Sequence, residues 1–164
     1  MSNYFQYLVT CYTHPMTTYL KNKHATFNYE ILDRYEAGIV LHGYEVKSIK
    51  KNHGSLKEAY ITTDGDEVFL IKAHIPAYQP ANTPDSFDPY RRRKLLLHKH
   101  EIVKLHATLN EQGLTIIPIS MYNKSDTIKL EIALVRGKKK HDKRETIKKR
   151  DADRDMRRIM KEVR

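Results

Sequence analysis

The chain has 164 residues, 40% of them apolar, with 30 Lys+Arg against 20 Asp+Glu and a formal net charge of +10. That length suits one domain able to bury its own core, and the charge points to a polyanion, either nucleic acid or an anionic membrane surface. One cysteine, Cys11, excludes an internal disulfide framework and a CxxC metal knuckle. No apolar stretch approaches bilayer-spanning length, so a soluble protein of the cytoplasm is expected.

The charge is unevenly placed. Residues 136–164 hold 14 Lys+Arg against 6 Asp+Glu, a net of +8, which leaves only +2 for residues 1–135. Residues 1–21 show no clear period and are set apart as an N-terminal extension. From Phe27, apolar residues alternate through Tyr29 and Ile31, and "EAGIVLHG" reads as a second short strand with Gly38 at a bend. "YEVKSIKKNHG" predicts a short helix marked by Tyr44 and Ile49 and ended by Gly54. "AYITTDGDEVFLIKAHI" predicts a hairpin about Asp64-Gly65. Pro76, Pro80, Pro84 and Pro89 make the next stretch a loop. In "RRRKLLLHKHEIVKLHATLNEQG", Ile102, Leu105 and Leu109 recur at helical spacing before Gly113. Finally Ile128, Leu130, Ile132 and Leu134 alternate with polar or small residues as a half-buried strand, and Pro118 marks an edge or bulge in its partner.

About six strands with two or three short helices result. A mainly β fold is expected, a small antiparallel barrel whose closure removes exposed edges; the oligonucleotide-binding (OB) type belongs to this class by analogy.

Nine histidines invite a metal or nuclease reading, but His100 and His106 are six apart, so they do not share a helix face as a zincin pair does. Gly137-Lys138 lacks the upstream glycine and the Ser/Thr of a phosphate loop. No catalytic residues, metal site or cofactor are assigned.

The blocks "NKHA", "EAGIVLHGYEVKSIKK", "DPYRRRKLLL", "GLTIIPISMY" and "RGKKKHDKR", in this order over about residues 21–164, resemble the SsrA-binding protein (small protein B) family. That resemblance implies an OB-type barrel over residues 22–135 and a tail over 136–164, disordered alone and helical on the ribosome. The implied partners are transfer-messenger RNA, through its tRNA-like domain, and the ribosome at the small-subunit decoding centre and mRNA path. Neither a membrane nor an enzymatic activity is implied, and the free protein is expected to be a monomer. Two departures stand out: residues 1–20 contain no Lys or Arg, and Ala152 stands where some relatives carry an aromatic residue.

The resemblance places Asn22, Glu36 and Leu96 on the RNA face. Residue by residue the alternatives are an ordinary cap or turn, a surface charge and a core leucine respectively. Lys23, beside Asn22, is expected to touch RNA backbone, and Lys47 is a further contact. Arg91, Arg93 and Lys94 precede the expected helix and can reach phosphates; the alternative is a solvated basic helix start. Glu45, Val46 and Lys47 in "GYEVKS" mark the family, and Glu45 and Val46 are read as structural.

In the tail, Lys138, Lys139, Lys140, Lys143, Arg144, Lys148, Lys149 and Arg150 would neutralise phosphates, and so many like charges cannot fold alone. Met156, Ile159, Met160 and Val163 recur at three and four residues, an apolar stripe for a helix formed on a surface. By resemblance, Gly137 opens the tail, His141 stacks on a base near the decoding centre, and Asp142, Lys143 and Arg144 position it. Two other functions fit the composition: a ribosome-associated structural RNA-binding protein, and a histidine-dependent ribonuclease using His98, His100 or His106.

Overall fold

A computed structural model describes residues 17–79, 84, 86–109, 113–139, 154–156, 158 and 160. In chain order the elements are β1 (Thr18–Lys21), α1 (Ala25–Asn28), β2 (Tyr29–Ile39), α2 (Gly43–Lys50), β3 (Tyr60–Asp64), β4 (Glu67–Ile71), β5 (Arg93–Leu96), α3 (Lys99–Leu109), β6 (Leu114–Lys124) and β7 (Thr127–Gly137). All strand pairs are antiparallel. The strand order is β1-β6-β3-β4-β5-β2-β7, and β6 also pairs with β7, so the ladder from β6 through β7 returns to β6, with β1 added on the other side of β6. The seam between β3 and β6 is a single partnered pair, Ile61 with Ile116.

Turn chemistry fixes two hairpins. Gly65, at φ +58, supplies the left-handed residue between Asp64 and Glu67. Ser125 and Asp126 both adopt positive φ between Lys124 and Thr127, the backbone of a tight two-residue turn. Pro118 sits beside a register shift in β6, the irregularity expected where a strand residue has no N–H to donate.

Alternation puts Leu130, Ile132 and Leu134 of β7 into one core with Ile61, Leu70, Ile116 and Met121. Leu105 of α3 is completely buried against that core, with Ile102 and Leu109 packed beside it at helical spacing. The opposite face of β7 is also dry at one end. There Ala133 and Val135 join Ile117, Ile119 and Ala25 of α1 in a second apolar cluster. The strand expected to be half-buried is therefore covered on both sides where α1 lies over it, and outward polar residues begin only at Glu131.

Four local expectations are corrected. Residues 29–39 form one long strand rather than two, Phe27 lies in α1, and Thr18–Lys21 is a strand that carries buried Leu20. The "RRRKLLL" block is β5 and its approach rather than the start of a helix. Among the described residues no helix is long and apolar enough to cross a membrane.

Candidate nucleic-acid interface

Glu36 projects outward from β2 directly opposite Glu131 of β7. Two carboxylates so paired repel unless each finds its own donors. Glu36 accepts from the Tyr122 hydroxyl at 2.5 Å and from Lys124 Nζ at 2.8 and 2.9 Å. Glu131 accepts from Arg34 at 2.5 Å and from Ser120 Oγ at 2.9 Å. Alternation along β6 is what delivers Ser120, Tyr122 and Lys124 to this face. The Lys124 ammonium, then the Tyr122 hydroxyl, hold the Glu36 carboxyl below its ordinary range. Burial and the bond to Glu36 push the Tyr122 phenol well above its own. At neutral pH the set is thus an ionised, oriented acceptor beside a protonated phenol.

Glu36 shares a hollow of about 310 Å³ with Leu96, His98 and Lys129. Leu96 is 54% exposed, so the core-leucine alternative fails: at the end of β5 it faces outward, next to buried Leu95. It lies over Gly38, where an added Cβ would come within 3.2 Å of the Leu96 Cβ. Two of the three resemblance-derived residues therefore meet in one hollow. Asn22 stands apart, in the turn before α1. Its amide nitrogen Nδ2 donates to Pro118 O at 3.1 Å and its backbone N–H to Ile119 O at 2.8 Å. It is a turn residue riveted to β6, the same strand that carries Tyr122 and Lys124. Lys23 is exposed next to it, and Lys47 is exposed on α2.

The basic run before α3 divides sharply. Arg93 is completely buried: Nε donates to Glu45 Oε1 at 2.9 Å, and the guanidinium reaches the carbonyls of Ala73, Pro89 and Arg91. The expectation that Arg93 contacts phosphate is corrected, because every donor direction described is spent inside the fold. Arg91 is a quarter exposed and grips the same carboxylate through Nε and Nη2. Lys94 is exposed and ion-paired with Glu67, one strand away. None of the three begins a helix, so the macrodipole argument does not apply to them.

The SmpB protein family matches residues 19–162. The chain belongs to the SmpB family. An SsrA-binding protein of Agrobacterium fabrum is 49% identical over 142 residues, 86% of this chain and 88% of that one. One from Mycoplasma mycoides subsp. mycoides is 50% identical over 135 residues, 82% and 91% of the two chains. A chain in a solved structure described as "tmRNA-SmpB: a journey to the center of the bacterial ribosome" superposes with a TM-score of 0.62 at 38% identity, covering 74% of this chain and 85% of its own.

For this SmpB-family chain, Gly137 closes β7, and Lys138 is anchored by its N–H to Asn28 O and by Nζ to Thr26 O. Lys139 is exposed. Lys140, His141, Asp142, Lys143, Arg144, Lys148, Lys149, Arg150, Ala152 and the Ile159 side chain lie outside the described residues. Residues 154–156, 158 and 160 are helical, with Met156 and Met160 58% and 70% exposed. Sequence reasoning missed Tyr122, Lys124 and Lys129 around Glu36. Their period-two spacing on two strands was visible, but which strand lies beside Glu36 was not.

Proposed function

We propose that the chain is a non-enzymatic RNA-binding factor that takes the tRNA-like domain of transfer-messenger RNA on its body and brings it to stalled ribosomes for trans-translation. In this reading the body is a barrel of the OB type, and the returning strand ladder supports it. The observation that carries the reading is the family match across residues 19–162, body and tail together. The names of the relatives and the ribosome–tmRNA neighbour supply its partners.

The hollow holding Glu36 and Leu96 forms the recognition face, together with Asn22 and Lys23. An ionised Glu36, fixed by Lys124 and Tyr122, accepts hydrogen bonds from base amino groups, while exposed Leu96 packs on a sugar or base face. Folded RNA is recognised mainly by shape, so a rigid acceptor beside an apolar knob discriminates better than mobile lysines. Arg91, Lys94 and Lys47 add electrostatic attraction. The tail enters the mRNA path only when that path is empty: Lys138 to Arg150 meet phosphates, His141 stacks near the decoding centre, and the Met156–Met160 stripe folds onto the wall as a helix. Steric exclusion by bound mRNA then restricts rescue to stalled ribosomes.

The deciding experiment is competition binding of transfer-messenger RNA against elongator tRNA, for the wild type, Glu36→Gln and Leu96→Ala. Loss of a hydrogen-bonded charge should reduce the preference about ten- to a hundredfold. Equal binding of both RNAs by the wild type would defeat the assignment.

A further inference from the structure

Three hollows meet at Lys57, on the side of the body beyond Asn22. One, of about 200 Å³, is bordered by Lys21, Lys23 and Lys57. A second, of about 580 Å³, is bordered by Lys57, Lys72 and Tyr90. A third, of about 330 Å³, adds Tyr60. Glu58 is the one carboxylate among the described residues that line them. It lies 3.6 Å from Lys57 with both side chains largely in water, a contact of little strength.

Several cations elsewhere on the body, Arg34, Arg92, Lys94, Lys104 and Lys124, are ion-paired with a carboxylate, whereas Lys47, Lys50, Lys51, Lys99 and Lys129 have no such pair among the described residues. What sets the trough apart is the combination of unpaired lysines with exposed rings. Among the described residues no carboxylate pairs with Lys21, Lys23 or Lys72. Two aromatic rings border the same hollows, Tyr90 beside Lys57 and Lys72 with its ring tilted against His74, and Tyr60 beside Lys57. Tyr90 is 56% exposed and Tyr60 39%, with the Lys72 ammonium 5.9 Å from the Tyr60 centroid. Large rings left in water beside unneutralised lysines are the composition of a track for unpaired nucleic acid, in which phosphates meet ammonium groups and bases stack on rings. A duplex would offer the rings no base faces.

We propose that this trough is a second RNA-contact surface that takes an unpaired strand, with phosphates on Lys21, Lys23, Lys57 and Lys72 and bases on Tyr60 and Tyr90. It rests on the RNA-binding reading above and extends the contact from the Asn22–Lys23 edge round to the segment before β5.

The test uses the full-length chain and a twelve-nucleotide uridine-rich RNA carrying 4-thiouridine, with cross-linked peptides mapped by mass spectrometry. Cross-links are expected at Tyr60 and Tyr90, and should fall at least about fivefold in Lys57→Ala/Lys72→Ala. Both lysines are exposed, so that variant should keep the wild-type melting curve. Removing two single-strand phosphate contacts should also flatten the log–log salt dependence of binding by about 1.4. Tyr90→Ala should weaken oligomer binding about tenfold. Cross-links confined to residues 136–164, or unchanged in the double-lysine variant, would overturn the trough. The competition assay on Glu36→Gln is run in parallel and separates the two readings. Preference for transfer-messenger RNA that depends on Glu36, without trough cross-links, sinks the trough alone. Trough cross-links without any such preference support the trough and sink the assignment of the RNA.

Discussion

Glu45 is the one buried carboxylate among the described residues. It is completely buried on α2 and accepts from Arg91, from Arg93 and from the His42 N–H at 2.8 Å. Burial raises its carboxyl, but the Arg91 and His42 hydrogen bonds and the charges of both arginines outweigh that and leave it below the ordinary value of 4.5. Burial lowers the Arg93 guanidinium, and the Glu45 charge opposes that effect. Glu45→Ala strands a buried guanidinium and should cost about 3–5 kcal/mol in urea unfolding. Asp33 is likewise lowered, by Lys104 and then Tyr35, and Glu36 by Lys124. Carboxyls depressed in the folded state add stability that is complete above their ordinary values of 3.8 and 4.5 and is lost as pH falls through the lower folded values. Unfolding free energy should therefore fall as pH is lowered below about 5, with a shallower dependence in Glu45→Gln. A parallel, pH-independent offset would refute this. The structural role of Glu45 was legible from its helical block; its two arginine partners, 46 and 48 residues on, were not.

The β3–β4 hairpin sets how much positive charge β5 shows to an RNA. Asp64 pairs with Arg92 at 3.0 Å, and Glu67 pairs with Lys94. Arg92 also lies 4.1 Å from the Phe69 ring centroid, which holds it flat on the sheet. Both ion pairs are exposed and each contributes no more than about 1 kcal/mol to stability. Asp64→Asn/Glu67→Gln should thus leave the urea midpoint nearly unchanged, yet free two cations. Affinity for any RNA should rise several-fold and the salt dependence steepen by about 1 to 2. An unchanged slope would mean that these cations never face RNA. At this scale α2, the β3–β4 hairpin, α3 and β7 followed from period and turn residues, while β2 was legible as strand but was read as two pieces. The strands β1 and β5 escaped because four residues are too few to establish a period, and "RKLL" runs on towards a genuine helix.

Over the whole molecule, a nearly neutral body carries a tail of net charge +8. Because β7 runs to Gly137 and Lys138 is tied to α1, the clean cut is after Lys139. That truncation should unfold with the wild-type urea midpoint, since the removed segment contributes nothing to either apolar cluster among the described residues. It should retain preference for transfer-messenger RNA but lose tagging on stalled ribosomes, measured in a reconstituted translation assay. Loss of the preference itself would reduce the tail to a general grip on polyanions.

Sequence alone determined what depends on neighbours in the chain: the strand periods, the hairpin at Gly65, the helical stripe of α3, the charge split and, through ordered motif blocks, the family. Tertiary structure decided what depends on residues far apart. It buried Arg93 against Glu45, turned Leu96 outward over Gly38, and set Tyr122 and Lys124 against Glu36 across 86 and 88 residues. The physical reason is pairing. Period tells which residues of a strand share a face, but only the strand order tells which charges and rings the neighbouring strands place beside them.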